Sequence, residues 1–192
     1  MMHPTSSLLP RALVSALLGM CLAVSCGAAA QGDDDTLSAQ RRIEGAYLFK
    51  FGAYISWPAE SFAGPDSPFV IGVAGDDTMA DELAALVAGR AVNGHPVQVR
   101  QVRAGQNTSG IHLLFVAGDT PQGDALIDAT RNKPTVTVTE GDDGLDRGAD
   151  MTFVLVNDRV RFDIALDVAL RDGVKVSSQL LSVADKVTGA KR

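Results

Sequence analysis

The stretch Pro68-Phe-Val-Ile-Gly-Val-Ala-Gly-Asp-Asp77 decides the fold. Its apolar run, Phe69 to Ala74, shows no polar alternation and so suits a strand buried on both faces, bounded by the turn chemistry of Pro68 and Gly75-Asp76-Asp77. A helix is expected after it, from about Met79 to Ala88. Outward from this unit the alternation repeats. Val97 to Val102 alternates apolar and polar residues as a half-buried strand does, and Ile111 to Val116 is a second buried run, ending at Ala117-Gly118-Asp119. Pro121 to Arg131 reads as a helix and Thr135 to Thr139 as a strand. Strands that alternate with helices predict an α/β fold, a single compact sandwich whose mainly parallel sheet carries helices on both faces.

The pattern changes toward the C-terminus. Met151 to Val156 and Arg159 to Ile164 flank Asn157-Asp158, and Asn and Asp tolerate the positive φ of a two-residue turn, so a C-terminal antiparallel hairpin is expected to complete the sheet. In its second strand Val160, Phe162 and Ile164 share one face, while Arg159, Arg161 and Asp163 share the other. Helices are expected at about Leu166 to Asp172 and Ser177 to Val187, the second capped by Ser177-Ser178.

Upstream of Phe69, a helical pattern follows Asp33-Asp34-Asp35-Thr36 and runs to about Ser56, where Trp57-Pro58 stops it. At 100° per residue Ile43, Tyr47, Leu48, Phe51, Tyr54 and Ile55 fall within an arc of about 140°, the expected core-facing stripe. Phe49 lies outside that arc, with Gly45, Gly52 and Ala53 as neighbours. One large aromatic among small residues leaves a shallow apolar surface that another chain can approach, which makes Phe49 the candidate for a contact with a partner protein or with a second copy in a homodimer. The alternative is that the C-terminal helix, with Leu180 and Leu181, covers it.

Composition and targeting signals narrow the function. Among 192 residues, 46% are hydrophobic, and 17 Lys plus Arg stand against 23 Asp plus Glu, so a globular, acidic chain lacks the basic footprint that captures nucleic acid. In the first thirty residues Arg11 is the sole charged side chain, the run from Ala12 to about Val24 is apolar, and Ala28-Ala29-Ala30 precedes Gln31. This predicts a signal peptide over residues 1–30, export to the periplasm and a mature domain over 31–192. Lipid attachment at Cys26, through Ala23-Val24-Ser25-Cys26, is the alternative. Both cysteines, Cys21 and Cys26, lie in this segment, so cleavage after Ala30 leaves no thiol.

No catalytic constellation emerges from the motifs. Neither a P-loop nor a G-x-S-x-G elbow is present, and Gly72-Val-Ala-Gly75 lacks the rest of the dinucleotide fingerprint. His95 and His112 are too far apart for an H-x-x-x-H pair, and the acidic turns Gly75-Asp76-Asp77 and Gly141-Asp142-Asp143-Gly144 lack calcium-loop spacing. The expectation is a protein that is not an enzyme, with no catalytic residue, cofactor or metal.

Four segments together carry a family resemblance: Ala46-Tyr-Leu-Phe-Lys-Phe-Gly-Ala-Tyr-Ile-Ser-Trp-Pro58, Ile111-His-Leu-Leu-Phe-Val116, Arg159-Val-Arg-Phe-Asp-Ile164 and Val176-Ser-Ser-Gln-Leu-Leu-Ser-Val-Ala184. Behind a signal peptide, they resemble the YfiR family. Tyr47, Phe51, Trp57, Pro58, Arg159, Arg161, Phe162 and Asp163 are the motif positions, to which the resemblance assigns a structural role. It implies a compact α/β sandwich and a periplasmic repressor. Such a repressor binds the periplasmic sensor domain of a membrane-bound YfiN-type diguanylate cyclase, lowering cyclic di-GMP and biofilm formation. Two features depart from the family pattern: Ala165 stands where members commonly carry Asn, and the mature chain lacks the cysteines that form disulfides in the better-known members. A periplasmic small-ligand binder, using the loops after Ala74 and Val116, is the alternative function. Mass spectrometry of protein recovered from the periplasm is expected to find Gln31 at the N-terminus; a diacylglyceryl Cys26 would overturn the cleavage site.

Overall fold

The computed structural model describes residues 28–189. Residues 1–27 of the expected leader over 1–30, with Cys21 and Cys26, lie outside the described residues. The chain divides into a unit ending at Ser38, whose described part is helical, and a unit from Ala39 onward that holds the sheet. In chain order the elements are α1 (Ala28–Tyr54), β1 (Ile55–Ser56), β2 (Phe69–Ala74), α2 (Asp77–Val87), β3 (Ala91–Val92), β4 (His95–Gln101), β5 (Leu113–Val116), α3 (Pro121–Thr130), β6 (Val136–Glu140), β7 (Met151–Val156), β8 (Arg159–Ala165), α4 (Leu166–Arg171), β9 (Lys175–Val176), α5 (Ser178–Val183) and β10 (Lys186–Thr188). A single 3-10 turn, Ala59–Ser61, follows Pro58.

The main sheet has the order β10-β8-β7-β6-β5-β2-β4-β3. Its centre is parallel: β2 pairs with β4 on one side and β5 on the other, and β6 and β7 continue from β5. β7 and β8 form the expected antiparallel hairpin, with Asn157 and Asp158 at φ 51° and 58° as its two-residue turn. One face packs against the core residues Leu48 and Phe51 of α1, Met79 and Leu83 of α2, Ala169 of α4 and Leu180 of α5. On the other face, Leu126 and Ile127 of α3 pack with Ala74, Leu114 and Val116. The α/β sandwich with helices on both faces is therefore the observed fold.

The larger core is organised by rings. Phe51 meets Phe162 edge-on at 5.0 Å between centroids and stacks near Phe153 at 5.9 Å, and Tyr47 meets Phe162 at 5.4 Å. The offset and edge-on geometries are those that ring quadrupoles favour.

Three expectations need correction. First, α1 is already helical at Ala28, where the described residues begin, ahead of the expected start near Thr36. It stops at Tyr54, where Ile55–Ser56 pairs with Lys175–Val176 instead. Second, the inward face of α1 consists of Glu44, Gly45, Leu48, Phe51 and Gly52, continued by buried Ile55 at the start of β1, while Ile43 and Tyr54 are exposed. The buried arc is thus rotated by about 70° from the apolar stripe. Gly52 permits this: a Cβ there would lie 3.0 Å from Val92 and 3.2 Å from Phe69, so a bare backbone lets the helix settle closely. Third, the last helix ends at Val183, and Lys186–Thr188 adds a strand parallel to β8. The hairpin therefore does not close the sheet, because the outer edge of β8 still had unpaired backbone groups to satisfy.

Phe162 is 2% exposed among Phe51, Phe153 and Tyr47, so Phe162→Ala is expected to cost about 3–5 kcal/mol. Trp57 is only half-buried, and Trp57→Ala should cost less. Urea unfolding of both variants checks the order.

Candidate functional site

The rotation of α1 leaves apolar side chains on its outer flank. Ile43 is 46% exposed and Tyr54 41%, and across a groove from Tyr54 Val183 of α5 is 54% exposed. The groove, about 460 Å3, has Tyr47, Lys50 and Tyr54 on one wall, Gln179, Ser182 and Val183 on the other, and Phe51 and Phe162 along its floor. An apolar trough rimmed by Lys50, Gln179 and Ser182 has the composition of a protein contact surface.

The Arg159–Ile164 segment holds the far wall in place. Alternation sends Val160, Phe162 and Ile164 into the core, as read from the sequence. On the other face Arg161 Nη2 donates to the Val183 carbonyl at 3.3 Å, and its Nε lies 3.8 Å from Asp185 Oδ1, which ties the end of α5 to β8. Asp163 pairs by register with Lys186, and burial, followed by the Asp185 charge, pushes its carboxyl up from the usual range. Arg159 is exposed. Ala165 occupies the N-cap of α4 and offers no side-chain cap.

Phe49 lies on the opposite flank of α1 from the groove. It is half-buried against the core, and the Arg90 guanidinium sits 5.4 Å from its ring centroid. The structure therefore brings Tyr47, Phe51, Phe162 and, through Val183, Arg161 together at the groove, but not Phe49. Trp57 and Pro58 belong to a separate cluster.

That cluster is a stack of rings at the N-terminal ends of β2 and β5. Phe62 stacks on His95 at 3.9 Å and on His112 at 4.3 Å, and Phe69 stacks on His112 at 5.2 Å. Trp57 Nε1 donates to the His112 carbonyl at 3.0 Å. The Val70 N–H donates to His112 Nδ1 at 3.1 Å, so the ring proton sits on Nε2, which donates to the Ser61 carbonyl at 3.1 Å. Pro58 starts the turn that presents Ser61. Both imidazole nitrogens are thus committed to the fold.

A further cavity of about 370 Å3 opens where β2 and β5 end, lined by Gly75, Asp77, Arg103, Ala117, Thr120 and Gly123 among others. This is the point at which the chain, having placed β4 on one side of β2, returns to build β5 on the other, the usual place for a ligand in such sheets. Arg103 Nη2 and Asp77 Oδ2 lie 3.4 Å apart at its rim. Sequence reasoning passed over two acids, Glu44 and Glu140, whose carboxylates come together only in the fold.

Burial pushes the His112 imidazole below its ordinary 6.5, with the Ser61 hydrogen bond opposing and the His95 charge reinforcing the shift. A depressed imidazole contributes stability in full above its unfolded value and loses it as pH falls through the folded value. His112→Gln is therefore expected to cost about 1–3 kcal/mol above pH 7. The gap to wild type should narrow as the pH is lowered below 6.5, as measured by urea midpoints across that range.

Among the described residues no helix is long and apolar enough to cross a membrane. No curated protein matches the sequence. A family model described as YfiR/HmsC-like matches residues 41–185, from the second half of α1 through α5. That span contains the ring core, the groove and all four resemblance segments, and the chain therefore belongs to the YfiR/HmsC-like family, a family of periplasmic regulators of diguanylate cyclases.

Proposed function

We propose that this protein is exported to the periplasm, binds the periplasmic sensor domain of a membrane-bound, YfiN-type diguanylate cyclase and holds the enzyme inactive, so that cyclic di-GMP and biofilm formation fall. The family match across residues 41–185 carries this reading. The groove between α1 and α5 supports it, because Tyr54 and Val183 are large side chains left in solvent on its two walls. Phe49, under Arg90 on the other flank, is the second proposed contact, with the cyclase or with a second copy of this chain.

Repression of this kind is a difference in affinity. The regulator shifts the cyclase only as far as it binds the inactive state more tightly than the active one, and about 5.5 kcal/mol of difference moves a two-state equilibrium from 1:99 to 99:1. A small-ligand binder is the second reading, favoured by the cavity of about 370 Å3 at the ends of β2 and β5.

Deleting the gene in a strain that expresses the cognate cyclase is expected to raise cyclic di-GMP and surface attachment; unchanged levels would favour the ligand-binding reading. Complementation with Tyr54→Asp or Phe49→Asp is expected to fail while thermal stability stays close to wild type for Tyr54→Asp. A Phe49→Asp protein that folds, keeps its oligomeric mass and still represses removes Phe49 from the contact.

A further inference from the structure

Glu44 and Glu140, which the repression reading leaves unused, share a cavity of about 430 Å3 between α1 and the C-terminal ends of β5, β6 and β7. Glu44 is 1% exposed, and its Oε1 accepts from Gln40 Nε2 at 2.8 Å. Among the described residues no donor reaches its other oxygen, and none reaches the Glu140 carboxylate at the end of β6. Arg41, the cation that acts on both, is already held by Asp76, with Nε 2.6 Å from Oδ2. Asp142 on the cavity wall adds a further acid. Negative groups therefore outnumber positive ones around a space large enough for a small molecule, and a buried carboxylate without a counter-charge is costly. Phe153 and Leu155, the latter 59% exposed, supply an apolar wall.

We propose that this cavity binds an organic cation, an ammonium or guanidinium on a short apolar stem, with its head between Glu44 and Glu140 and its stem along Phe153 and Leu155. The N–H groups of such a head provide the donors that the two carboxylates lack, and charge-assisted bonds are the strong ones. Two acids and an apolar wall suit this ligand better than a metal ion. Among the described residues no group of three or more His, Cys, Asp or Glu is placed to hold a metal.

The site has a pH signature. Burial pushes the Glu44 carboxyl up to about 7, with Glu140 and Asp76 reinforcing the shift and Gln40 and Arg41 opposing it; burial also raises Glu140. The groups facing Glu44 are thus Gln40 and Arg41 on α1, Asp76 ahead of α2, and Glu140 with Asp142 at the end of β6. A bound cation favours the ionised acid, so binding releases a proton and tightens by about tenfold between pH 6 and pH 8.

Calorimetry of the purified protein at pH 8 tests the site with n-butylammonium, n-butylguanidinium, and alanine-lysine-alanine and alanine-arginine-alanine peptides blocked at both ends, with n-butanol as the neutral control. At least one cation is expected to bind and n-butanol not to, with a loss of about tenfold or more in Glu44→Gln and in Glu140→Gln. Tighter binding of the free cations assigns a diffusible amine, and tighter binding of the peptides assigns a Lys or Arg side chain of a partner protein. No binding by any of the four cations, or equal binding to the double Gln variant, overturns the site. So does calcium binding with which the organic cations do not compete. A second measurement needs no variant: n-butylammonium should lower the pH at which the Glu44 carboxyl carbon titrates by NMR, and an unmoved titration overturns the proposal. These outcomes are independent of whether the protein represses a cyclase.

Discussion

The contact on which the rest of the structure depends is the close approach of α1 through Gly52. A Cβ at Gly52 would meet Val92 and Phe69 at 3.0 Å and 3.2 Å, tighter than side chains normally pack, whereas one at Gly45 would make only ordinary 3.7 Å contacts with Leu83 and Met79, so it is Gly52 that lets the helix settle this close to the sheet. Helices are stiff cylinders, and rotating one face inward rotates every other face with it. The same turn leaves Ile43 in solvent and Tyr54 on the wall of the groove, sets Phe49 against the core margin under Arg90, and carries Glu44 into the interior. The groove and the acidic cavity thus follow from one packing decision.

The C-terminal third answers α1 from the other side. Phe162 fills the ring core while its neighbour Arg161, on the opposite face of β8, holds the carbonyl of Val183 and so fixes α5 as the far wall of the groove. Alternation along one strand joins the core to the surface: the residue that stabilises the floor and the residue that positions the wall are adjacent in sequence. β10 then covers the edge that β8 would otherwise expose, which limits strand addition from another chain at that side.

Buried titratable groups pull stability in opposite directions with pH. His112 lies below its ordinary value and contributes above about 6.5, a contribution lost as pH falls. Glu44, raised to about 7, and Asp150, raised by burial to about 6, contribute below their unfolded values and lose that contribution as pH rises through the folded ones. Asp150 Oδ2 accepts from the Thr137 N–H and hydroxyl, both at 2.7 Å, so its burial is partly compensated by hydrogen bonds inside the sheet. Glu44 has only Gln40, which is why a cation at that place has a physical use.

Local chemistry determined much of this protein. The apolar run Phe69 to Ala74 forms a strand with the bounds read from it, Asn157-Asp158 makes the hairpin turn at positive φ, and Ser177 caps the last helix by accepting from Leu180 N at 3.2 Å. Each of these rests on residues within a few positions of one another, where periodicity and turn preference act alone. The hairpin strand Arg159 to Ile164, with Val160, Phe162 and Ile164 inward, is likewise read from its alternation. Only the tertiary structure decided the rotation of α1, since glycine carries no hydrophobic signal and its worth lies in what it lets approach. It also decided that Lys186–Thr188 extends β8 instead of continuing a helix, because that choice depends on an unpaired edge elsewhere in the sheet. The meeting of Glu44 with Glu140 is of the same kind: no spacing in the chain encodes it, and the two acids become neighbours only when α1 lies across the ends of the parallel strands.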